Sequence, residues 1–252
     1  MQRLTFSIIT CTWNSEPYLA QSIASVLSQD YPNIEYIFVD GGSTDGTLER
    51  IKRIQRPTRL LTDVRGGISN AMNAGIEIAT GDVIAHLHSD DYYLHPGVLS
   101  AVASHLESSG KNWLFGRILR DLDGELQREK YVSPRYSYSQ LLRTNFIPHP
   151  ATFVRREFIQ RAGGFNTKLK YAMDYDLWLK LGGLGDPVQL DEPLAAFREH
   201  DGSLSTRDRL PALEEDFRVR LSHAGFNPIA RAIHFARYLV RRQRMVQAGA
   251  RP

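Results

Sequence analysis

Short apolar runs of β character alternate with stretches of helical period through the first third of the chain, and at three points an apolar run ends abruptly in polar residues. Alternation of this kind builds βαβ units, whose strands lie largely parallel and whose ligands sit at the carboxyl edge of the sheet. Thr5–Thr10 is the first run and ends in the polar turn Cys11-Thr12-Trp13-Asn14. A helix is predicted over about Pro17–Ser28, where Leu19, Ile23, Val26 and Leu27 recur at helical spacing before Tyr31-Pro32-Asn33 stops it. Ile34–Val39 is the second strand, emptying into the small-residue loop Asp40–Gly46. The helix from Thr47 carries Leu48, Ile51 and Ile54 inward, Leu60-Leu61 suits a short third strand, and Ile68–Ala79 is helical by its Ile68, Met72, Ile76 and Ala79 spacing. Asp82–Leu87 is the next strand, ending at His88-Ser89-Asp90-Asp91 before a helix that Pro96 can start. Thr12 to Asn14, Asp40 to Asp45 and His88 to Asp91 thus converge on one sheet edge, and that convergence is the functional signal.

Later segments are less periodic. About Asn112–Arg156 reads as strands and turns of open order, Tyr171–Leu181 as a loop turning into a helix with Asp174 near its start, and Pro193–Arg198 as a closing strand. A chain of 252 residues, 42% of them apolar, suits one α/β domain with an appendage. The single cysteine, Cys11, excludes an internal disulfide and a cysteine-based metal site. The N-terminus lacks a signal-peptide pattern and no run approaches the ~18 apolar residues of a spanning helix, so a cytoplasmic location is expected. Residues 217–252 hold eight Arg and no Asp, Glu or Lys, which leaves 23 basic and 28 acidic residues, a net −5, on the rest of the chain. An acidic body argues against nucleic acid as partner. In the tail, Ile229, Ile233, Ala236 and Val240 form one helical stripe among Arg231, Arg237, Arg241, Arg242 and Arg244. This amphipathic basic helix suits docking on an anionic membrane, which would make the protein peripheral on its inner face, or packing on the catalytic domain or on a second subunit of a homodimer. The sequence leaves these alternatives open.

Asp90 and Asp91 follow an apolar strand directly, so two carboxylates emerge at its exposed end, where Mg2+ or Mn2+ could bind. A pair of turn-capping aspartates would look the same, and the surrounding motifs decide between the two. SIITCTWN, VDGGSTDGT, AMNAGIEIATGDVIAHLHSDD, HPATFVRREFIQRAGGF, MDYDLWLKL and FREHDGSLS resemble, in order and spacing, the successive motifs of glycosyltransferase family 2. The match spans about Ser7 to Ser205.

That resemblance implies an α/β fold of GT-A type, Rossmann-like, with a mostly parallel central sheet flanked by helices and a C-terminal helical extension. It places a catalytic domain at 1–205, with a nucleotide-binding half to about 110 and an acceptor-binding half from about 111, and a basic helical tail at 206–252. It implies an inverting, metal-dependent transfer from a nucleotide-sugar donor, a UDP-sugar first, to a saccharide or lipid-linked saccharide acceptor in cell-surface polysaccharide or glycolipid assembly. Trp13 takes the position that stacks on the donor base, and Asp40 the position whose carboxylate accepts from the ring edge. Thr12, Arg65 and Asn70 join them as donor-side candidates. Asp90, Asp91 and His200 are the metal candidates, with Asp90 and His200 also near the donor diphosphate, and the motif's first acid is His88 here. Asp174 matches the acid that takes the acceptor proton. The residue before it is Met173 where relatives carry Glu, which removes a charge and favours a more basic Asp174. Asp176 points elsewhere on the helix, as a cap or a partner for an arginine. His149 and Arg155 stand where relatives shape the acceptor pocket, with packing or solvent roles equally compatible. The departures at His88 and Met173 admit a catalytically inactive nucleotide-sugar-binding module. A sugar nucleotidyltransferase would need a Gly-rich loop after the first strand, and Cys11-Thr12-Trp13-Asn14 is not one.

Overall fold

The computed structural model describes residues 3–56, 58–129, 131–200, 208–226 and 228–249. The first half runs β1 (Phe6–Thr12), α1 (Glu16–Leu27), β2 (Ile34–Asp40), α2 (Thr47–Lys52), β3 (Thr58–Leu61), α3 (Ile68–Ile78), β4 (Val83–His86), β5 (Tyr92–Tyr93) and α4 (Val98–Ser109). The second runs β6 (Trp113–Leu122), β7 (Glu125–Arg128), α5 (Tyr138–Leu141), a 3-10 turn at His149–Ala151, β8 (Thr152–Arg155), α6 (Arg156–Arg161), α7 (Met173–Leu184) and β9 (Val188–Glu199). Two helices close the chain, α8 (Arg209–His223) and α9 (Pro228–Gly249). All strands join one sheet in the order β3-β2-β1-β4-β8-β6-β9-β5, with β7 hairpinned on β6. β3, β2, β1 and β4 are parallel, as is the β6–β9 pair, while β8 runs antiparallel to both its neighbours.

β1 is buried along its whole length because helices cover both faces of the sheet. Its side chains alternate accordingly. Phe6 and Ile8 join Tyr36, Phe38, Leu19, Val26 and Val102 on the α1/α4 face, and Ile9 and Cys11 join Ile37, Val39, Met72, Ile76 and Leu177 on the α3/α7 face. α3 lies so close that a Cβ at Gly75 would stand 2.5 Å from Ile9 Cγ2, so only glycine permits this helix–strand spacing.

The strand run continues two residues past the predicted end of β1. Thr12 pairs in register with Asp40, and its hydroxyl donates to Asp40 Oδ1 at 2.8 Å, so polar residues extend the ladder where their hydrogen bonds are met. β5, only two residues long, carries no periodic signal and was not expected. β9 begins at Val188, five residues before the expected closing strand, because it pairs with β6 through a register shift near Arg117. α8 is integral to the catalytic body: Leu213 and Val219 are buried, and Glu215, Arg220 and His223 all bond α7 or the loop before it. Asp176 accordingly pairs with Lys180 (2.8 Å) and His223 (2.9 Å) rather than with an arginine.

Candidate active site

A cleft of about 1060 Å³ opens along the carboxyl edge of β1 and β4 and is closed on its far side by α7 and α8. One wall starts from the loop after β2. Asp40 is fully buried, and its two oxygens accept from the Thr12 hydroxyl (2.8 Å), the Ser43 hydroxyl (2.5 Å) and the Gly42 and Ser43 N–H groups (2.8 Å each). Burial alone would raise this carboxyl, but those four bonds hold it below the usual range. Contact between a base edge and this carboxylate would have to replace one of the four. Asn14, itself left-handed at φ 49°, stitches the loop to β1: its backbone N–H donates to the Ser43 hydroxyl at 2.9 Å and its side-chain Oδ1 accepts the Thr44 N–H at 2.9 Å. The VDGGSTDGT motif is thus first a backbone clamp. What it presents is Trp13, whose indole rests on Gly41 and is 69% exposed to the cleft. Gly42 is required by its left-handed backbone at φ 94°, and the Arg65 guanidinium crosses over it. Arg65 lies on the wall and pairs with Asp63 at 3.0 Å. Asn70 is turned from the wall and donates to the Arg65 carbonyl at 2.5 Å, holding that loop.

The floor is the end of β4. Thr10 and Ser22 hydroxyls take the Leu87 and His88 carbonyls at 2.7 and 3.1 Å, which fixes the backbone leading to Asp90. Asp90 Oδ2 lies 3.0 Å from His200 Nε2. β9 positions that histidine through Arg198, a partly buried cation that pairs with Asp121 at 3.2 Å and lies over the rings of Tyr18 and Tyr92. Asp91 is 2% exposed, and its Oδ1 accepts the Arg198 N–H at 3.2 Å. Burial and the neighbouring Asp90 charge push its carboxyl well above the ordinary range. The expected triad of Asp90, Asp91 and His200 is therefore a facing pair, Asp90 and His200, with Asp91 bonded to the strand behind it. Among the described residues no three His, Cys, Asp or Glu side chains form a ready-made metal cage. Beside the pair, His88 stacks on His149 at 4.6 Å and 5°, with His86 beneath at 5.8 Å from His149. Burial, and after it the His88 charge, lowers His86 to about 3, and burial with the His88 and His86 charges lowers His149 well below its ordinary value, which favours neutral imidazoles at both.

Across the cleft, Asp174 opens α7. Its carboxylate accepts the Tyr175 N–H at 2.6 Å and faces the Asn145 amide at 3.5 Å, and burial raises it to about 6 despite both contacts. Asp216 of α8 shares this wall and is raised to about 7 by burial and by the Asp174 charge.

The family model for glycosyl transferase family 2 matches residues 7–162, more than half of the chain. The chain belongs to that family. Among curated relatives of this transferase, an uncharacterized glycosyltransferase of Haemophilus influenzae is 26% identical over 217 residues, covering 79% of this chain and 67% of its own length. A chondroitin synthase of Pasteurella multocida is 31% identical over 183 residues, and the match spans 71% of this chain but only 19% of the synthase. Solved structures share the fold: TarS of S. aureus in complex with UDP-GlcNAc has a TM-score of 0.74 at 20% identity over 94% of this chain and 72% of that one. A mannosyltransferase of Pyrobaculum calidifontis in complex with GDP-Man and Mn2+ has a TM-score of 0.67 at 17% identity over 99% of this chain and 80% of that one.

Of the residues picked out in the sequence, the transferase cleft brings together Thr12, Trp13, Arg65, Asp90, Asp91, His149 and Asp174, with His200 bonded to Asp90. Asp40 and Asn70 support the wall from behind, and Arg155 reaches the Lys111 carbonyl instead. The FREHDGSLS motif beyond His200 lies outside the described residues. Asp216, Asn145 and Glu215 were missed. Glu215 accepts the N–H groups of Lys170, Tyr171 and Ala172 at 2.5 to 3.1 Å, capping the start of α7 from another helix. Glu215→Ala strands these donors and is expected to cost about 3 kcal/mol, lowering the thermal midpoint by roughly 6–12 °C. Thermal denaturation followed by circular dichroism measures it, and a midpoint unchanged within 1–2 °C, roughly the scatter of such a measurement, would show that the cap is dispensable.

Proposed function

We propose that this transferase moves a glycosyl group from a nucleoside-diphosphate sugar, a UDP-sugar first, to an acceptor hydroxyl in a saccharide or lipid-linked saccharide, with inversion at the sugar carbon. The observation that carries the reading is the placement, in one cleft, of an exposed indole beside a clamped loop, the Asp90–His200 pair, and a desolvated carboxyl opposite. The related structures with UDP-GlcNAc and GDP-Man support a nucleotide-sugar donor, and the Mn2+ in the latter supports a metal.

Trp13 offers the base a flat, preordered surface, and Arg65 offers the diphosphate a cation. Asp174 receives the acceptor proton as the acceptor oxygen forms its bond to the anomeric carbon and the bond from that carbon to the diphosphate oxygen breaks. One displacement from the face opposite the leaving group inverts the centre. The donor set at Asp90 fits Mg2+ or Mn2+, because such ions commonly take one or two carboxylates from the protein and fill other positions from substrate phosphates. His200 would add an imidazole, and a bound cation supplies charge neutralisation for the departing diphosphate.

The test is a panel of UDP- and GDP-sugars with and without Mn2+, read by thermal stabilisation and by donor hydrolysis. The expected result is stabilisation by one UDP-sugar that needs Mn2+, with hydrolysis by the same pair. Absence of stabilisation by every nucleotide, or hydrolysis that persists in excess chelator, would overturn the reading.

A further inference from the structure

We propose that α9 is an interfacial anchor that seats the protein on a bilayer rich in anionic phospholipid. At 3.6 residues per turn, Ile229, Ile233, Leu239, Val240 and Val246 fall within an arc of roughly 140°. These side chains are exposed, and Phe226 just before the helix is 99% exposed. The opposite side of the helix faces the protein, where His234 is buried and Tyr238 stacks on Phe217 of α8 at 4.4 Å and 15°. The apolar arc therefore points away from the body to which the helix is attached. Arg231 and Arg242 border it on one side and Arg237 and Arg244 on the other, all exposed.

Charge selects the occupant. No Asp or Glu occurs in residues 217–252 to balance these arginines. A second copy packed on this face by two-fold symmetry would bring arginine rows against arginine rows, which is repulsive. Nucleic acid would satisfy the arginines and leave the apolar arc in water. A bilayer with anionic headgroups meets both demands, phosphates taking the borders and acyl chains the arc between them. No helix among the described residues is long and apolar enough to cross a membrane, so α9 lies on the surface. The placement also has a functional direction. On α8, Asp216 lines the cleft while its neighbour Phe217 stacks on the anchor, so one helix connects the acceptor wall with the lipid-facing element.

Vesicle co-sedimentation of the full chain tests this without donor or acceptor, so its outcome is independent of the sugar-transfer reading. Vesicles of phosphatidylcholine alone are compared with vesicles containing phosphatidylglycerol. The parent is expected to pellet with the anionic vesicles, more weakly with neutral ones, and less as salt rises. The variant Arg237→Gln/Arg242→Gln/Arg244→Gln should bind the anionic vesicles about a hundredfold more weakly, at roughly fivefold per arginine. Leu239→Ser/Val240→Ser should lose binding to both. Either variant binding like the parent overturns the anchor, as does a parent that stays in the supernatant and instead doubles its mass by ultracentrifugation. The salt series on the unaltered protein stands even if a variant misfolds, and binding indifferent to salt and lipid charge overturns the proposal by itself.

Discussion

Asp174→Asn is expected to lower kcat by roughly 10²- to 10⁴-fold, the usual contribution of a positioned base, while making the protein more stable at neutral pH. Both effects come from the same burial. The unfolded carboxyl ionises near its ordinary 3.8 and the folded one at about 6. Below about pH 4 the group is protonated in both states. Between the two values the folded state keeps a proton that the unfolded chain has lost. Above about pH 6 both are charged, and the folded state carries the full cost of a desolvated carboxylate. Stability from this group thus falls as pH rises from about 4 to about 6, and the neutral amide removes the penalty. The thermal midpoint of the variant should exceed the parent's at pH 7.5 and approach it at pH 4. The parent's kcat should rise through an acid limb near pH 6, where a carboxylate becomes available, and the variant should lack that limb. Asp216→Asn separates chemistry from electrostatics. The Asp216 carboxyl, raised to about 7 by burial and by the Asp174 charge, is still protonated where Asp174 titrates at about 6, so the variant's limb should stay in place and its turnover within a few-fold of the parent's. Full turnover by Asp174→Asn would remove the assigned base, and a limb displaced in Asp216→Asn would show that Asp216 ionises first and that the order of the two titrations is reversed.

Periodicity made the first half legible because β1, β2 and β4 are buried on both faces and its helices on one, so apolar spacing reports each of these elements directly. The loops were legible for a different reason: Asp40, Gly42 and Asn14 serve backbone geometry, and small or acceptor side chains at turns carry that information in their identity. What the sequence could not express was which acids turn toward the protein. Glu215 and Asp216 look like ordinary solvent-facing residues in the Glu-Glu-Asp stretch of α8, yet one caps α7 and the other lines the cleft. Their roles depend on how α8 lies against α7, a long-range packing outcome with no local signature. The same limit explains Asp176, whose partners come from the next turn of its own helix and from α8. It also explains the unread β5, which exists only because β9 supplies its hydrogen bonds.

At the cleft floor, the adjacent carboxylates Asp90 and Asp91 should respond in opposite ways to loss of charge. Asp90→Asn is expected to lower kcat/KM by about 10³-fold, the order of several kcal/mol of charge neutralisation at a departing diphosphate, and to abolish the Mn2+ dependence of nucleotide stabilisation. Asp90 faces His200 across 3.0 Å at the cleft, where a cation could reach it. Asp91 is already disfavoured as an anion by burial and by Asp90, and its contact is a backbone N–H that an asparagine oxygen can equally accept. Asp91→Asn should therefore keep activity within about tenfold, keep the Mn2+ dependence, and leave the thermal midpoint unchanged or higher, since a buried like-charge neighbour has been removed. His200→Gln should fall between them, losing one ligand while Asp90 stays. If Asp91→Asn instead matches Asp90→Asn in both rate and metal dependence, the cation takes both carboxylates, and β9 must release the Arg198 contact when the donor binds.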